Sequence, residues 1–315
     1  MISTKKDPIT IKNDPWEPYS DINRYGQPVL SNVEFTTTNL CNMRCSHCAV
    51  GYTLQTRDPD PLPMSLITQR LDEIPTLRTI SITGGEPMFS KKSIREVVKP
   101  LLKYAEQRGI YVQLNSNLTL PLDRYLDIAE YIDVLHISHN WGTIDTFTEV
   151  GFGAMDKQPP LKAKLKLYEQ MISNAQNLSR QGMFVSAETM LNKSTLPYLE
   201  SIHHEVIHDM KCQRHEVHPM YPADFASQLE VLDLKTMKSA ISHLLDVRDK
   251  DTWMLFGTLP IFPCLQDEAD AQLREKLKQA PNVSTRNDPD GRSRLNVNVF
   301  TGNVIVTDFG DETGT

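Results

Sequence analysis

Three cysteines lie within one short segment, TTTNLCNMRCSHCAVGY, at Cys41, Cys45 and Cys48. Their C-x3-C-x2-C spacing lets one loop wrap three thiolates around one face of an iron–sulfur cubane, which leaves the fourth iron without a protein ligand. A structural zinc site needs four ligands, and His47 is badly placed to be the fourth because it is adjacent to Cys48. The spacing therefore favours a [4Fe–4S] cluster with one open iron.

A second group of residues that could take part in chemistry lies at the end of the next predicted strand. Gly84-Gly85-Glu86-Pro87 follows TISIT, at the carboxyl end of a strand, where ligands bind in parallel α/β barrels. Glycines let the backbone approach a ligand closely, and the Glu86 carboxylate can face a cationic group. A strand-to-helix turn would explain the glycines and the proline alone, but not a loop with three cysteines one strand earlier.

The pattern of apolar residues predicts the elements that carry these motifs. From Val33 onward short strands alternate with longer helical stretches, which predicts a parallel sheet with right-handed crossovers. The predicted strands are 33–38, 78–83, 110–116, 132–139, 183–189, 213–219 and 253–256. The predicted helices lie near 65–73, 90–108, 121–130, 161–181, 194–210 and 233–249, with a last one that ends at about 280. A hairpin of 295–300 and 304–307 about Gly302-Asn303 ends the chain.

The predicted strands alternate polar and apolar residues, whereas strands covered on both faces usually read as apolar runs. Because side chains alternate between faces, one face of the sheet is predicted to be polar. In a barrel with helices outside, that face lines a lumen that can hold a ligand. An antiparallel sheet with one wet face is the alternative, which the intervening helices disfavour. Glu188, Arg214, Glu216 and His218 lie on the polar face and are candidate substrate contacts.

Composition and charge narrow the class of protein. The chain has 315 residues and a net charge of −7, which argues against a nucleic-acid or anionic-membrane partner. No stretch approaches the roughly 20 apolar residues needed to span a bilayer, and the N-terminus has no apolar signal core, so a cytosolic location is expected. Five cysteines in such a chain favour reduced, metal-binding thiolates over a disulfide framework. Cys212 and Cys264 are expected to be ordinary thiols.

The two motifs resemble the radical S-adenosylmethionine (SAM) superfamily, whose pattern is C-x3-C-x-φ-C followed by GGEP one strand later. The resemblance covers about 33–220 and implies an α/β fold, a partial (β/α)6 TIM-like barrel with a small C-terminal extension. It implies that the three cysteines ligate three irons and that SAM chelates the fourth. It also implies an external one-electron donor of the flavodoxin or ferredoxin type. Cleavage of SAM then gives a 5′-deoxyadenosyl radical that abstracts hydrogen from a substrate.

The resemblance implies a set of SAM contacts as well. Residues 84–87 correspond to the segment that binds the methionine amino group, and His47 stands where the family usually has an aromatic residue near the adenine. Asn115-Ser116-Asn117 resembles the Thr-Asn-Gly end of the third strand, with Leu118 replacing the glycine. Ser138-His139-Asn140 is similar to the Ser-x-Asp end of the fourth. The implied contacts are Ser116, Asn117, Ser138 and Asn140, and helix capping is the alternative explanation for polar residues there.

Five further segments resemble the YfkAB-type family of radical SAM proteins: DPWEPY, CSHCAVGYTL, HISHNWGT, CQRHEVHPMYP and NDPDGRSRLNVN. That family is named for a C-terminal CxCxxxxC motif, which is missing up to Thr315, so the chain is truncated, the motif is encoded separately, or this member lacks it. The predicted domains are an extended lead-in over 1–30, the radical SAM core over 31–230, and helices with a β-hairpin over 231–315. The segment 231–315 can be interpreted as a truncated auxiliary domain. The hairpin resembles the start of auxiliary-cluster domains in peptide-modifying relatives, which favours a peptide or protein substrate.

His204, Glu205 and His208 match HExxH, in which two histidines on one helix face bind zinc and the glutamate activates water. An α-helical period turns them largely towards solvent, away from the apolar stripe of Leu196, Leu199, Ile202, Val206 and Met210. We therefore expect a solvated outer face, with a zinc hydrolase as an alternative function. A ferredoxin-like electron carrier is the other alternative, although it would have four protein ligands and no need of GGEP.

Overall fold

The computed structural model describes residues 6–259, 261, 264, 267–286 and 293–305. The helices of this part are α1 Tyr19–Tyr25, α2 Met64–Asp72, α3 Lys91–Ser93, α4 Lys99–Arg108, α5 Leu122–Leu126, α6 Ile144–Val150, α7 Leu161–Arg180, α8 Leu199–His204, α9 Leu234–Val247 and α10 Glu268–Gln279. The strands are β1 Asn32–Thr36, β2 Thr79–Thr83, β3 Tyr111–Ser116, β4 Val134–Ser138, β5 Val185–Leu191, β6 Arg214–Pro219, β7 Trp253–Gly257, β8 Val283–Arg286, β9 Arg294–Asn298 and β10 Val304–Ile305. Within the described residues, no helix has the length and apolar character required to cross a membrane.

The first of two compact units comprises 1–42, 50–136 and 288–315. Its strand order is β10-β9-β1-β2-β3-β4, with β4 included up to His136. β1 pairs in parallel with β2 and with β9, β2 pairs in parallel with β3, and β10 is antiparallel to β9. The buried apolar side chains of these strands alternate with polar ones: Val33, Phe35, Ile80, Ile82, Val112 and Leu114. Burying one such side chain contributes about 1.5–3 kcal/mol.

The second unit comprises 43–49 and 137–287, with strand order β4-β5-β6-β7-β8 from Ile137 onward. β5, β6, β7 and β8 pair in parallel, each with the next. Its core combines the apolar faces of α9 and α10 with apolar residues of the strands: Leu191, Val217, Ile241, Leu244, Met254, Phe256, Leu273 and Leu277. Asp233 caps the start of α9 because its side chain accepts from the Thr236 backbone N–H.

The predicted polar face is present in both units. In the first, Glu34, Ser81 and Gln113 are neighbours across β1, β2 and β3. In the second, Ser186 lies opposite Arg214 and Glu188 opposite Glu216. The strands predicted from the alternation of polar and apolar residues are therefore confirmed.

The structure also contains elements that the pattern did not predict. α1 lies within the lead-in that was predicted to be extended, and Gly26, at φ 74°, ends it. β8 is a short polar strand, and its parallel pairing with β7 had no apolar alternation to indicate it. The terminal hairpin joins the sheet through β9, and its predicted residues 306–307 lie outside the described residues. Two predicted helices contain π-helical segments, at Ile94–Val98 and Glu205–Asp209.

Candidate cofactor site

The glycines of the GGEP turn touch the backbone that leads into Cys41. Gly85 N–H donates to the Thr38 carbonyl at 2.8 Å. A Cβ atom on Gly84 would lie 2.4 Å from the Thr38 oxygen, and one on Gly85 would lie 2.3 Å from the Leu40 oxygen. No side chain fits at such distances, so both glycines are required for this close approach. The turn therefore fixes the entry to the cysteine loop.

A buried carboxylate holds the same entry from the other side. Asp58 accepts hydrogen bonds from the Thr38 hydroxyl at 2.6 Å and from the Asn39 N–H at 2.8 Å. The Thr38 hydroxyl oxygen also accepts from the Leu40 N–H at 3.1 Å. Asp58 was not predicted as a site residue, since a single aspartate in a proline-rich stretch carries no sequence signal.

Glu86 is fully buried, and both of its carboxylate oxygens are occupied within the chain. Oε1 accepts from the Met88 N–H at 3.2 Å and from the Ser116 hydroxyl at 2.9 Å, and Oε2 accepts from the Asn117 N–H at 2.8 Å. Burial raises the pKa of Glu86 to about 7, although these hydrogen bonds oppose the rise. The carboxylate thus joins the end of β2 to the end of β3.

The Asn117 side chain contacts the first cysteine. Its Oδ1 accepts from the Thr119 N–H at 3.0 Å and from the Thr119 hydroxyl at 2.7 Å. Its Nδ2 donates to Asn42 Oδ1 at 3.0 Å and lies 3.8 Å from Cys41 Sγ as a donor to that sulfur. Cys41 itself is half-buried.

The segment 43–49 of the second unit carries the other two cysteines of the motif. Cys48 N–H donates to the Cys45 carbonyl at 3.0 Å, which closes a tight turn. Ser46 N–H donates to the carbonyl of Val150, the last residue of α6, at 2.9 Å. Both cysteines are half-buried.

His47 lies at the end of a row of rings that continues through Trp141 to His139. Its ring centre lies 6.0 Å from that of Trp141, which lies 6.1 Å from that of His139. Burial lowers the pKa of His47 to about 4, against the opposing charge of Glu188, so the ring is neutral. His47 Nδ1, Trp141 Nε1 and His139 Nδ1 are buried and have no hydrogen-bond partner among the described residues. Such orphaned polar atoms are rare, and they fit a heterocyclic ligand such as the SAM adenine.

The ends of β4 and β5 are joined by polar contacts. The Ser138 hydroxyl donates to Glu188 Oε1 at 2.9 Å, and Asn140 Oδ1 accepts from the Met190 N–H at 2.6 Å. Glu188 also pairs with His218 at 3.6 Å. Burial lowers the pKa of His218, but the hydrogen bond and the charge of Glu188 outweigh burial, and the net shift is upward.

Arg214 and Glu216 form a separate part of the polar face. Arg214 is fully buried, donates from Nε to the Ser186 hydroxyl at 2.9 Å and lies 4.9 Å from the centre of the Trp253 ring. Its Nη2 is 3.9 Å from Glu216 Oε2, which is also 3.7 Å from Arg286. The structure therefore brings Glu188 together with His218, and Glu216 with two arginines.

The expectation that Glu205 lies on a solvated outer face is wrong. His204 and His208 are exposed, but the Glu205 side chain is only 24% exposed and its Oε1 is 2.6 Å from His139 Nε2. The Tyr168 hydroxyl donates to its Oε2. At about 100° per residue Glu205 lies at the edge of the apolar stripe rather than opposite it, and from this edge its side chain reaches His139 and Tyr168.

No group of three His, Cys, Asp or Glu side chains in the described part of the chain is arranged to hold a metal ion. A cubane holds its thiolates on separate irons, farther apart than the ligands of one ion. Three half-buried cysteines in one loop, one of them with an amide donor beside its sulfur, have the ligand chemistry that such a cluster requires.

Two family models match the chain. The radical SAM superfamily matches residues 35–203, and a YfkB-like domain matches residues 220–315. The "Putative protein YfkA" of Bacillus subtilis (strain 168) is 62% identical over 309 residues, which cover 98% of this chain and 83% of that protein.

Solved structures share the fold at low sequence identity. Streptococcus suis SuiB bound to S-adenosylmethionine matches with a TM-score of 0.62 and 14% identity, over 94% of this chain and 66% of SuiB. The anSMEcpe structure with bound AdoMet and Cp18Cys peptide matches with a TM-score of 0.61 and 14% identity, over 91% of this chain and 77% of that one. These matches confirm the predicted fold class, a partial TIM-like α/β barrel.

Proposed function

The chain belongs to the radical SAM superfamily of enzymes, whose cofactors are a [4Fe–4S] cluster and SAM, and we propose that Cys41, Cys45 and Cys48 are its cluster ligands. The observation that carries the proposal is the C-x3-C-x2-C loop inside the matched span, with the GGEP turn held against its entry. When bound, the cluster and SAM supply one-electron cleavage of SAM to methionine and a 5′-deoxyadenosyl radical, which abstracts hydrogen from a substrate.

The roles of the surrounding residues follow from their contacts. Gly84 and Gly85 hold the entry to the cysteine loop, and we assign the SAM amino group to the backbone of residues 84–87. Glu86 acts as a positioning residue, because its oxygens are already occupied by Ser116 and by backbone N–H groups. Pro87 and Ser116 lie beside it and support the same turn.

In the second unit, the neutral His47 ring and Trp141 offer unpartnered ring nitrogens to the adenine. We propose that these buried rings also exclude water from the adenine end of the site. The Ser138 and Asn140 side chains hold the ends of β4 and β5 together, so we propose that they shape the SAM site.

A peptide or protein is the proposed substrate. The support is the hairpin of β9 and β10 and the likeness to SuiB bound to precursor peptide SuiA and to anSMEcpe with a bound peptide. Glu188, His218 and Glu216 are the proposed contacts, with Arg214 supporting Glu216 from a buried position. We retain the predicted organisation into a lead-in, a core over 31–230 and a C-terminal part. An external flavodoxin- or ferredoxin-like donor in the cytosol completes the proposal.

Anaerobic reconstitution of single cysteine variants tests the ligand assignment. Cys41→Ala, Cys45→Ala and Cys48→Ala should each lose the cluster, whereas Cys212→Ala should keep it. Cys212 is the matched control because it is buried, and burial raises its pKa so that the neutral thiol is favoured. Iron content and visible absorbance report the outcome. A cluster that survives Cys45→Ala, or disappears in Cys212→Ala, would contradict the assignment. Wild-type protein that holds iron but does not bind SAM would indicate an electron carrier.

A further inference from the structure

The orientation of the Asn117 amide is fixed by its surroundings. The Thr119 backbone N–H can only donate, and it lies 3.0 Å from Asn117 Oδ1. That atom must therefore be the amide oxygen, and the other end of the amide must be the NH2 group. This assignment directs one N–H to Asn42 Oδ1 and the other to Cys41 Sγ.

The donor is also held rigidly in place. Glu86 accepts from the Asn117 backbone N–H at 2.8 Å, and the Asn42 amide donates to the Thr119 hydroxyl at 2.8 Å. Asn117 thus has its backbone N–H, its side-chain oxygen and its contact with Asn42 all engaged, and its amide nitrogen lies 3.8 Å from the Cys41 sulfur. The buried Glu86 of the GGEP motif is connected to Cys41 through this single residue.

A hydrogen bond to a ligand sulfur affects electron transfer. Reduction of a cluster adds negative charge, part of which resides on the cysteine sulfurs, so an N–H donor stabilises the reduced state more than the oxidised one. Hydrogen bonds to the sulfurs are among the factors that set the potentials of iron–sulfur clusters. We propose that Asn117 is a positioning residue that donates to the Cys41 thiolate and raises the reduction potential of the cluster. The inference rests on the proposed role of Cys41 as a cluster ligand.

Two substitutions separate the hydrogen bond from the size of the side chain. Asn117→Leu keeps the number and branching of the side-chain heavy atoms and the backbone N–H but removes the donor. Asn117→Asp is isosteric with asparagine and places a negatively charged oxygen where the donor was. Asn177→Ala is the matched control, since Asn177 donates to the Ser173 carbonyl on α7 and has no sulfur contact among the described interactions.

The measurement is a redox titration of reconstituted protein, followed by the electron paramagnetic resonance signal of the reduced cluster. In Asn117→Leu the ratio of reduced to oxidised cluster at a fixed potential should fall about threefold to tenfold, which is about 30–60 mV at 59 mV per tenfold change. Asn117→Asp should lower the ratio at least as far, and Asn177→Ala should not change it.

The outcomes separate this inference from the proposed function. A wild-type chain that binds no cluster overturns both. A wild-type cluster whose potential is the same in both Asn117 variants overturns the inference alone. If the leucine variant binds no iron, the isosteric aspartate variant provides the comparison. Loss of iron from both variants, with the circular dichroism spectrum unchanged, would assign Asn117 to cluster assembly and would also overturn the proposed tuning.

Discussion

Replacing Glu86 with glutamine should change how the stability of the protein depends on pH. The sequence pattern suggested that this carboxylate faces the amino group of SAM. In the structure it is fully buried and accepts from Ser116 and from two backbone N–H groups. Glu86→Gln keeps the size of the side chain and removes its charge, so the variant isolates the cost of burying that charge.

The sign and size follow from the pKa of Glu86, which burial raises from 4.5 to about 7. Between these values the folded chain binds more protons than the unfolded chain, so the free energy of unfolding decreases as pH rises. At about 1.4 kcal/mol for each pH unit in that interval, the decrease is about 3 kcal/mol. The free energy of unfolding of the glutamine variant has no such decrease with pH. Its NH2 group faces a backbone N–H, however, so one hydrogen bond is lost, which costs about 1–3 kcal/mol at every pH.

Urea unfolding of the metal-free protein between pH 5 and pH 8 tests this reasoning, with linear extrapolation to water. The wild-type chain should be the more stable at pH 5, and its advantage over Glu86→Gln should shrink or reverse by pH 8. Glu73→Gln, at the exposed position that follows α2, is the matched control, and its free energy of unfolding should stay within about 0.5 kcal/mol of the wild-type value at every pH. Parallel curves for wild type and Glu86→Gln would show that no buried charge is present there.

Three further predictions concern other contacts. Gly85→Ala would place a Cβ 2.3 Å from the Leu40 oxygen, so the entry to the cysteine loop must shift, and reconstituted iron should fall well below one cluster per chain; full occupancy would contradict this. Glu205→Gln should lower the free energy of unfolding by about 1–3 kcal/mol because it weakens buried hydrogen bonds. In the same urea experiment His208→Gln, at an exposed position, should change it by less than about 0.5 kcal/mol. Equal effects of the two substitutions would show that Glu205 lies on a solvated outer face. Burial lowers the pKa of His203 to about 4, so as pH falls from 6.5 towards 4 the unfolded chain gains a proton at this histidine first, and His203 contributes a loss of about 3 kcal/mol of stability. His203→Gln should therefore lose about 3 kcal/mol less than wild type over this pH range by calorimetry, and equal losses in the two proteins would contradict this.

The strands and most helices could be predicted from the sequence because their signals are local. A period of two along Val33 to Thr38, or along Val185 to Glu188, sets which side chains share a face, whatever else the chain does. The cysteine spacing and GGEP are equally local, and they indicated the family that the comparisons then confirmed.

The contacts that decide the role of each site residue are not local. Glu86 meets Ser116 across 30 positions of sequence, and this pairing depends on β2 and β3 being neighbours. Glu205 was assigned to the wrong face because it lies at the edge of the apolar stripe, where its contacts with His139 and Tyr168 are distant in sequence. His139 was passed over although it stands between Ser138 and Asn140, since nothing in the sequence indicated its pairing with Glu205.

The most direct test of the account is anaerobic incubation of the reconstituted protein with SAM and dithionite, followed by quantification of 5′-deoxyadenosine. The wild-type chain should contain about four irons and form 5′-deoxyadenosine and methionine in equal amounts. The chain with Cys41, Cys45 and Cys48 all changed to alanine should form neither. Wild-type protein that holds a full cluster and binds SAM but yields no 5′-deoxyadenosine, or a triple variant that yields as much as wild type, would contradict the assignment of radical SAM chemistry to these three cysteines.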